Sequence, residues 1–165
     1  MRTVSHGSPA ATRRRRRLTG AVKQALRRLS TEVSLLNHRV AARTRLRDGD
    51  LACLDLVLRH GPLSPSALAR RAGLHPATTT GVLDRLERGG WVVRERDPSD
   101  RRAVLVRGTR DRLGELLGLY ADMDRAIDTI CGGYDEAQLE VIADFLHKTA
   151  EAGRDAAERL ADGDG

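Results

Sequence analysis

Charged and turn-forming residues are concentrated in one short segment, RERDPSDRRAVLV, at positions 94–106. Its charged tip holds Arg96, Asp97, Asp100, Arg101 and Arg102. Guanidinium groups present several hydrogen-bond donors in a planar fork that suits carboxylate and phosphate oxygens. The tip is therefore either a turn that contacts only water or a binding site for an anionic partner. The neighbouring segments decide between these two interpretations.

The preceding residues have the signals of two short helices joined by a tight turn. Ser64 is a favourable N-cap residue, and Pro65 occupies a first helical position, where proline is tolerated. Gly73 suits the left-handed conformation that ends the first helix, and Pro76 then begins the second. Two short helices with such a turn between them predict a helix-turn-helix.

The second helix has a small, polar beginning and a basic end. Its first-turn residues are Pro76, Ala77, Thr78, Thr79 and Thr80. Its later outward positions are Arg85 and Arg88. Short side chains at a helix start reach base edges in a major groove, whereas arginines further along contact phosphates. Taken alone, this helix also fits a second interpretation, in which the threonines only support the helix start and the arginines only face solvent.

Two short apolar runs on either side of the charged tip predict an antiparallel hairpin. Residues 91–94 form the first strand, residues 103–106 form the second, and residues 97–102 connect them. A helix-turn-helix followed directly by a hairpin is a winged helix, and the combination is more specific than either signal. We therefore predict a mainly α-helical chain, a winged helix-turn-helix with about six helices and a wing of two or three strands.

Long amphipathic helices are predicted on both sides of this lobe, because apolar residues recur there at intervals of three and four. Asp48-Gly49-Asp50 is expected to stop the first of them, and residues 51–59 to form a short buried helix. A helix this long at the start of a small chain packs on something outside its own globule, and a partner subunit is the natural candidate. The predicted organisation is a disordered basic tail at 1–17, a long helix at 18–47 that packs on a partner subunit, a winged-helix lobe at 48–110 and further long helices at 111–161.

Charge is distributed unevenly along the chain, whose net charge is +6. Residues 1–47 carry +12, including the consecutive arginines of residues 13–17, whereas residues 48–110 carry +3 and residues 111–165 carry −9. The basic front favours an anionic partner for the first two thirds of the chain, and it also allows pairing between the two ends. The arginine run itself either is solvated or adds sequence-independent attraction to phosphates.

The two cysteines, Cys53 and Cys131, match no CxxC spacing and predict no disulfide, which fits a reducing cytoplasm. No apolar run approaches the roughly 18–20 residues that a membrane span needs. We expect a cytoplasmic, nucleoid-associated protein without a membrane partner.

The run LHPATTTGVLDRLERGGWVVRERDPSDRRAVLV resembles the MarR family of bacterial transcription regulators. Its most specific parts are Asp100-Arg101-Arg102, within the wing sequence DPSDRR, and the segment LDRLERGGWVVR. The resemblance covers roughly residues 20–150 and implies six helices around one wing. It also implies a homodimer in which the first, fifth and sixth helices of two subunits interlock, so that 18–47 and 111–161 are the dimerisation helices and 48–110 is the DNA-binding lobe. The two winged helices would then meet successive major grooves of a pseudopalindromic operator in double-stranded DNA.

The resemblance assigns roles to residues of the two short helices. The groove-facing positions are Thr78, Thr79 and Thr80, with Pro76 and Ala77 beside them. Ser64 and Ser66 correspond to contacts with the DNA backbone at the start of the first helix of the motif.

The resemblance also assigns roles within the wing. Arg102 corresponds to an arginine that inserts into the minor groove, and Asp100 to the carboxylate that orients it. Physical reasoning supports both roles, since an arginine at a hairpin tip can enter a narrow A·T minor groove, where the negative potential is enhanced. A carboxylate so near to phosphates is costly unless it holds that guanidinium in a bidentate pair. Arg96 and Arg101 are expected to contact phosphates.

The leading hypothesis is a dimeric, DNA-binding repressor of adjacent genes that a small-molecule effector releases. Many members of the family bind small aromatic acids, but this chain has few aromatic residues to stack on such a ligand. One alternative is a redox-responsive regulator that uses Cys53 or Cys131, although Cys53 lies in an apolar helix that favours a buried, unreactive thiol. Another alternative is a winged-helix module that binds a protein without reading DNA.

Catalytic and metal-binding patterns are absent from the sequence. It indicates no paired-carboxylate pocket, no nucleophile with a nearby base and no phosphate-binding glycine loop, so we predict that the protein is not an enzyme. Its five histidines show no short metal-ligand spacing, and no cofactor is expected.

Overall fold

The computed structural model describes residues 9–100 and 102–162, with side chains up to residue 160. The elements in chain order are α1 (Pro9–Thr44), α2 (Asp48–His60), α3 (Pro65–Ala72), α4 (Pro76–Arg88), β1 (Val92–Arg96), β2 (Val104–Gly108), α5 (Arg110–Cys131) and α6 (Glu136–Asp162). The winged helix-turn-helix architecture predicted from the sequence is confirmed. Over the described residues, none of the helices is long and apolar enough to span a membrane.

The hydrophobic core lies where α2, α3 and α4 pack against the wing. Leu54, Leu68, Leu86 and Val106 are each at most 1% exposed. Full burial of an aliphatic side chain of this size contributes about 1.5–3 kcal/mol. This core therefore fixes the helix-turn-helix and the wing as one lobe.

The wing is a two-stranded antiparallel sheet with a short addition at its edge. The register runs from Val92 opposite Gly108 to Arg96 opposite Val104. Leu63, just before α3, forms an isolated bridge with Val106, in which each backbone N–H donates to the other residue's carbonyl at 3.1 and 2.8 Å. The wing is thus anchored to the start of the helix-turn-helix.

The start of α1 differs from the predicted disordered tail. The helix begins at Pro9, so the prediction of disorder is wrong for residues 9–17, while residues 1–8 lie outside the described residues. Repulsion between neighbouring arginines on a helix costs only about 0.2–0.5 kcal/mol per pair. Arginine is among the best helix formers, and proline is favoured at a first helical position, so the helix extends through the arginine run.

The junction between α1 and α2 also differs from the expectation. α1 ends at Thr44, where Arg45 adopts a positive φ of 57° and the N–H of Leu46 donates to the carbonyl of Ala41 at 2.9 Å. Asp48-Gly49-Asp50 forms the first turn of α2 instead of a separate break. Carboxylates are favourable in a first helical turn because they face the positive end of the helix dipole.

The flanking helices α1, α5 and α6 bury little of their apolar surface. α1 contributes Val40 and Ala41 to the core, α5 contributes Leu116, and α6 contributes no buried residue among its described side chains. The exposed large apolar residues of these helices and the α5–α6 turn are Leu18, Val22, Leu29, Leu35, Leu117, Ile127, Ile130, Tyr134, Val141, Ile142, Phe145, Leu146 and Leu160. An apolar surface of this extent is typical of an interface with another chain.

Candidate nucleic-acid interface

Capping interactions fix the two helices of the helix-turn-helix. The Oγ of Ser64 accepts from the N–H of Ala67 at 3.2 Å, as predicted for an N-cap. Gly73 ends α3 in the left-handed conformation, with a φ of 63°, and only glycine adopts it without strain. α4 then begins after His75, whose Nδ1 accepts from the N–H of Ala77 at 3.3 Å. These caps set the angle at which α4 projects from the lobe.

The first turn of α4 exposes four of its five predicted contact residues. Pro76, Ala77, Thr78 and Thr80 face solvent. Thr79 is 1% exposed, and its Oγ1 donates to the carbonyl of His75 at 3.2 Å, so its predicted groove-facing position is wrong.

The burial of Thr79 follows from the periodicity of α4. Thr79 lies three, four and seven residues before Val82, Leu83 and Leu86, which are all buried. Positions at this spacing share one helix face, and here that face packs on the core. The spacing could have identified Thr79 as a core residue from the sequence.

Arg85 and Arg88 have different surroundings at the end of α4. The Nε and Nη2 of Arg85 donate to the two carboxylate oxygens of Asp50 in α2 at 2.9 and 2.6 Å. The prediction that Arg85 faces outward is therefore wrong. The Asp50 side chain is 3% exposed, and its hydrogen bond to Arg85 is the main cause of the raised pKa of that guanidinium. Arg88, by contrast, is exposed and free to contact phosphate. Arg85 therefore positions α4 relative to α2.

A second ion-pair cluster joins α4 to the wing. Nη1 of Arg94 in β1 donates to Glu87 at 2.7 Å, and its Nη2 donates to Asp84 at 2.6 Å. The backbone N–H of Arg94 also donates to Glu87 at 3.3 Å. Sequence reasoning missed this cluster, although acidic residues three apart on α4, followed by an arginine in the next strand, are a detectable signal. The cluster fixes the direction in which the wing leaves the lobe.

The tip of the wing is held by its aspartates. The N–H of Asp97 donates to the carbonyl of Ala103 at 3.0 Å. The Oδ1 of Asp97 accepts from the Oγ of Ser99 at 2.6 Å and from its N–H at 2.8 Å, and these hydrogen bonds lower the pKa of the Asp97 carboxyl group. Asp97 thus has a structural role that the sequence did not show.

Asp100 contacts Arg102 in a way that differs from the expected bidentate pair. Its Oδ1 accepts from the backbone N–H of Arg102 at 2.9 Å, and the ion pairs among the described residues include none between the two side chains. Asp100 therefore shapes the backbone that carries Arg102, and the guanidinium is exposed. Arg96 is exposed at the end of β1, and Arg101 lies outside the described residues.

The serines at the start of α3 are close together. The hydroxyl groups of Ser64 and Ser66 lie 3.1 Å apart, and Ser66 is the more exposed of the two. The hydroxyl of Ser64 is engaged in capping α3, which leaves Ser66 better placed to donate to an incoming anion.

Other chemistries find little support in this lobe. Cys53 is 1% exposed, and burial is the main cause of its raised pKa, which disfavours the reactive thiolate. Among residues 9–100 and 102–162, no group of His, Cys, Asp or Glu side chains could hold a metal ion. The Nδ1 of His38 in α1 lies 3.0 Å from a carboxylate oxygen of Asp48.

Comparisons with known proteins agree with this geometry. The MarR family profile matches residues 46–104. The chain is 31% identical to the HTH-type transcriptional regulator YcgE of Bacillus subtilis, over 83% of this chain and 89% of YcgE. A solved MarR family protein from Bacillus stearothermophilus is 20% identical, with a TM-score of 0.63, over 83% of this chain and 96% of that chain. A mutant of MepR from S. aureus, solved bound to an oligodeoxyribonucleotide, is 17% identical, with a TM-score of 0.54, over 79% and 96% of the respective chains.

Proposed function

This chain belongs to the MarR family of HTH-type transcriptional regulators, and we propose that two copies form a dimer that binds a pseudopalindromic operator. Each winged helix enters one of two major grooves about one helical turn, or roughly 10 bp, apart. The observation that carries this proposal is that one lobe exposes both small side chains in the first turn of α4 and Arg102 in the wing.

The proposed contacts of the helix-turn-helix follow from exposure. Pro76, Ala77, Thr78 and Thr80 face base edges in the major groove, where small side chains permit close approach. Arg88 contacts a phosphate from the last turn of α4. The Ser66 hydroxyl donates to the DNA backbone, with Ser64 beside it at the start of α3.

The proposed contacts of the wing depend on its backbone geometry. Arg102 inserts into the adjacent minor groove, and Asp100 supports it by holding its backbone N–H. Arg96 and Arg101 bind phosphates on either side of that groove.

Dimerisation is proposed to use α1, α5 and α6, because large apolar residues on all three are exposed in the single chain. Residues 48–110 are then the DNA-binding lobe, and residues 18–47 and 111–161 supply the dimer interface. We further propose that the dimer acts in the cytoplasm as a repressor of adjacent genes.

An effector site is proposed at the junction of α1 and α5, between the dimer helices and the lobe. The Oη of Tyr120 donates to Oδ1 of Asn37 at 2.8 Å. Burial first, and then the Asp55 carboxylate, raise the pKa of Tyr120. A small molecule that replaced this hydrogen bond would change how α1 packs on α5 and so release the operator.

The direct test is a gel-shift titration with the promoter regions of the protein's own gene and its neighbours. We expect a specific complex that Arg102→Ala weakens by about 1–3 kcal/mol. The matched control is Arg154→Ala, which removes an exposed arginine of α6 and should leave the affinity unchanged. Equal affinity of the Arg102→Ala variant and the original protein would contradict the assignment of the wing.

A further inference from the structure

One face of α1 carries a line of basic side chains. Arg13, Arg16, Lys23 and Arg27 are separated by three, seven and four residues, so they share one side of the helix. All four are exposed, and Gly20 in the middle of the line leaves open space. At about 1.5 Å per residue, this α1 basic stripe extends over about 21 Å.

The stripe lies on the side of α1 opposite its apolar residues. At about 100° per residue, Leu18, Val22 and Leu29 are centred about 150° around the helix from the stripe. Whatever covers the apolar face, whether α6 or a second copy of the chain, therefore leaves the stripe exposed.

Within the part of the chain that the structure describes, nothing neutralises this stripe. None of its four members takes part in the ion pairs formed among the described residues, and the first turn of α1 contains no acidic residue. Cations near a helix N-terminus are unfavourable because they face the positive end of the helix dipole. Basic side chains near a helix N-terminus that no acidic residue neutralises are therefore locally unfavourable, and such an uncompensated feature is characteristic of a functional surface.

The acidic residues of α6 are poorly placed to neutralise the stripe in a dimer. Glu151, Asp155 and Glu158 recur at intervals of four and three, so they share one face of α6. That face lies about 180° from Leu146 and Leu160 at about 100° per residue. If the apolar faces of α1 and α6 meet, the basic and acidic lines point away from each other.

We infer that the α1 basic stripe is a second, sequence-independent binding surface for DNA phosphates, separate from the winged helix. Double-stranded DNA carries one charge per about 1.7 Å of axis, so a stripe of this length faces several phosphates at once. The inference rests on the proposed function only in that DNA binding by the lobe makes double-stranded DNA the partner that the stripe meets.

The test measures binding to a long duplex of scrambled sequence over a range of salt concentrations, using the full-length protein. Lys23→Gln/Arg27→Gln is compared with Arg154→Gln/Arg159→Gln, which removes the same charge from exposed positions of α6. Glutamine resembles lysine and arginine in helix propensity, so α1 is retained. The plot of log K against log salt has a negative slope, and each lost phosphate contact makes that slope shallower by about 0.9. We therefore expect the slope to become shallower by about 2 for the stripe variant and to stay unchanged for the control.

The fourfold variant, which adds Arg13→Gln and Arg16→Gln, should lower the slope by about 3 to 4. Light scattering should show the same oligomeric state for all variants. An unchanged slope overturns the inference. If the slope is unchanged and the dimer is weakened, the inference is also overturned, because the stripe would then bind acidic residues of a second copy.

Failure of this inference can be told apart from failure of the proposed function. The stripe variants should keep the preference for operator over scrambled DNA, whereas Arg102→Ala should reduce that preference. If the original protein shows no such preference, the proposed operator binding is wrong, while the slope comparison on scrambled DNA still tests the stripe.

Discussion

The lobe formed by α2 to β2 and the flanking helices α1, α5 and α6 bury their apolar residues to very different extents. Leu68 and Leu86 in the lobe are 0% exposed, whereas Val141 and Leu160 in α6 are 69% and 75% exposed. Both regions use the same aliphatic residue types, so the difference lies in the available packing partners. The lobe is complete in one chain, whereas the flanking helices leave apolar surface exposed, which we propose a second copy covers.

The lobe and the first part of α1 also differ in how their charges are paired. In the lobe, Asp50 holds Arg85, and Arg94 binds both Asp84 and Glu87. In α1, the basic stripe is unpaired among the described residues. Charges that the lobe uses internally orient α4 and the wing, and those left exposed are available for DNA.

The largest expected effect concerns the internal pairing of the lobe. Arg85→Ala leaves the carboxylate of Asp50 buried without its partner, and loss of one member of such a pair costs about 3–5 kcal/mol. Urea unfolding followed by the fluorescence of Trp91, the single tryptophan, measures this loss. The control is Arg88→Ala, which removes an exposed arginine and should change the free energy of unfolding by less than about 0.5 kcal/mol. Equal losses for both variants would mean that the ion pair does not stabilise the lobe.

The second prediction concerns the exposed apolar surface of the flanking helices. Leu146→Asp should weaken the dimer by roughly 100-fold or more, because each subunit would bury an unpaired carboxylate in the interface. Leu146 is 45% exposed in the single chain, so the lobe should retain its Trp91 fluorescence. Sedimentation equilibrium measures the dissociation constant, with Glu158→Gln on the opposite face of α6 as the control. A variant that dimerises as tightly as the original chain would place the interface elsewhere.

The sequence predicted the parts of the lobe that depend on nearby residues. Ser64 caps α3 through the N–H of a residue three positions away, and Gly73 ends that helix through its own backbone freedom. The hairpin likewise joins strands separated by a short loop. Such local signals are readable because the interacting groups are close in the chain.

Contacts over long separations were not predictable in the same way. Asp50 and Arg85 are 35 residues apart, and their pairing depends on how α2 packs against α4. The exposed basic position expected for Arg85 was therefore wrong. The bidentate pair expected between Asp100 and Arg102 is a different case, because these residues are close in the chain and the Asp100 carboxylate accepts from the backbone N–H of Arg102 instead of from its side chain.

The third prediction tests the link between α4 and the wing. Arg94→Gln cannot bind both Asp84 and Glu87, so the wing should lose its fixed direction and operator binding should weaken by about 1 kcal/mol. Because Arg94 acts on DNA binding through the wing, the double variant with Arg102→Ala should lose less operator-binding free energy than the two single variants together. The difference should be at least about 0.5 kcal/mol. Additive losses would refute this linkage. Arg107→Gln, which removes a cross-strand ion pair with Glu95, provides the control.

The smallest expected effect concerns Cys53 in the core of the lobe. Burial raises the pKa of its thiol, so the unfolded chain ionises first as the pH rises. The stability that the buried, protonated thiol contributes is complete below the pKa of the unfolded chain, about 8.5, and is lost as the pH rises through the pKa of the folded chain. Unfolding experiments on the original chain and Cys53→Ala should show a weaker alkaline decline for the variant. Identical pH profiles would mean that the thiol does not titrate differently on folding.

Hydroxyl-radical footprinting on the bound promoter tests whether the lobes of two chains bind DNA together. We predict two protected regions centred about one helical turn, or roughly 10 bp, apart, with added protection in the flanking minor grooves. Arg102→Ala should remove the added minor-groove protection and leave the two regions of backbone protection. A single protected region would contradict binding by two lobes, and flanking protection that persists in Arg102→Ala would contradict the insertion of Arg102 into the minor groove.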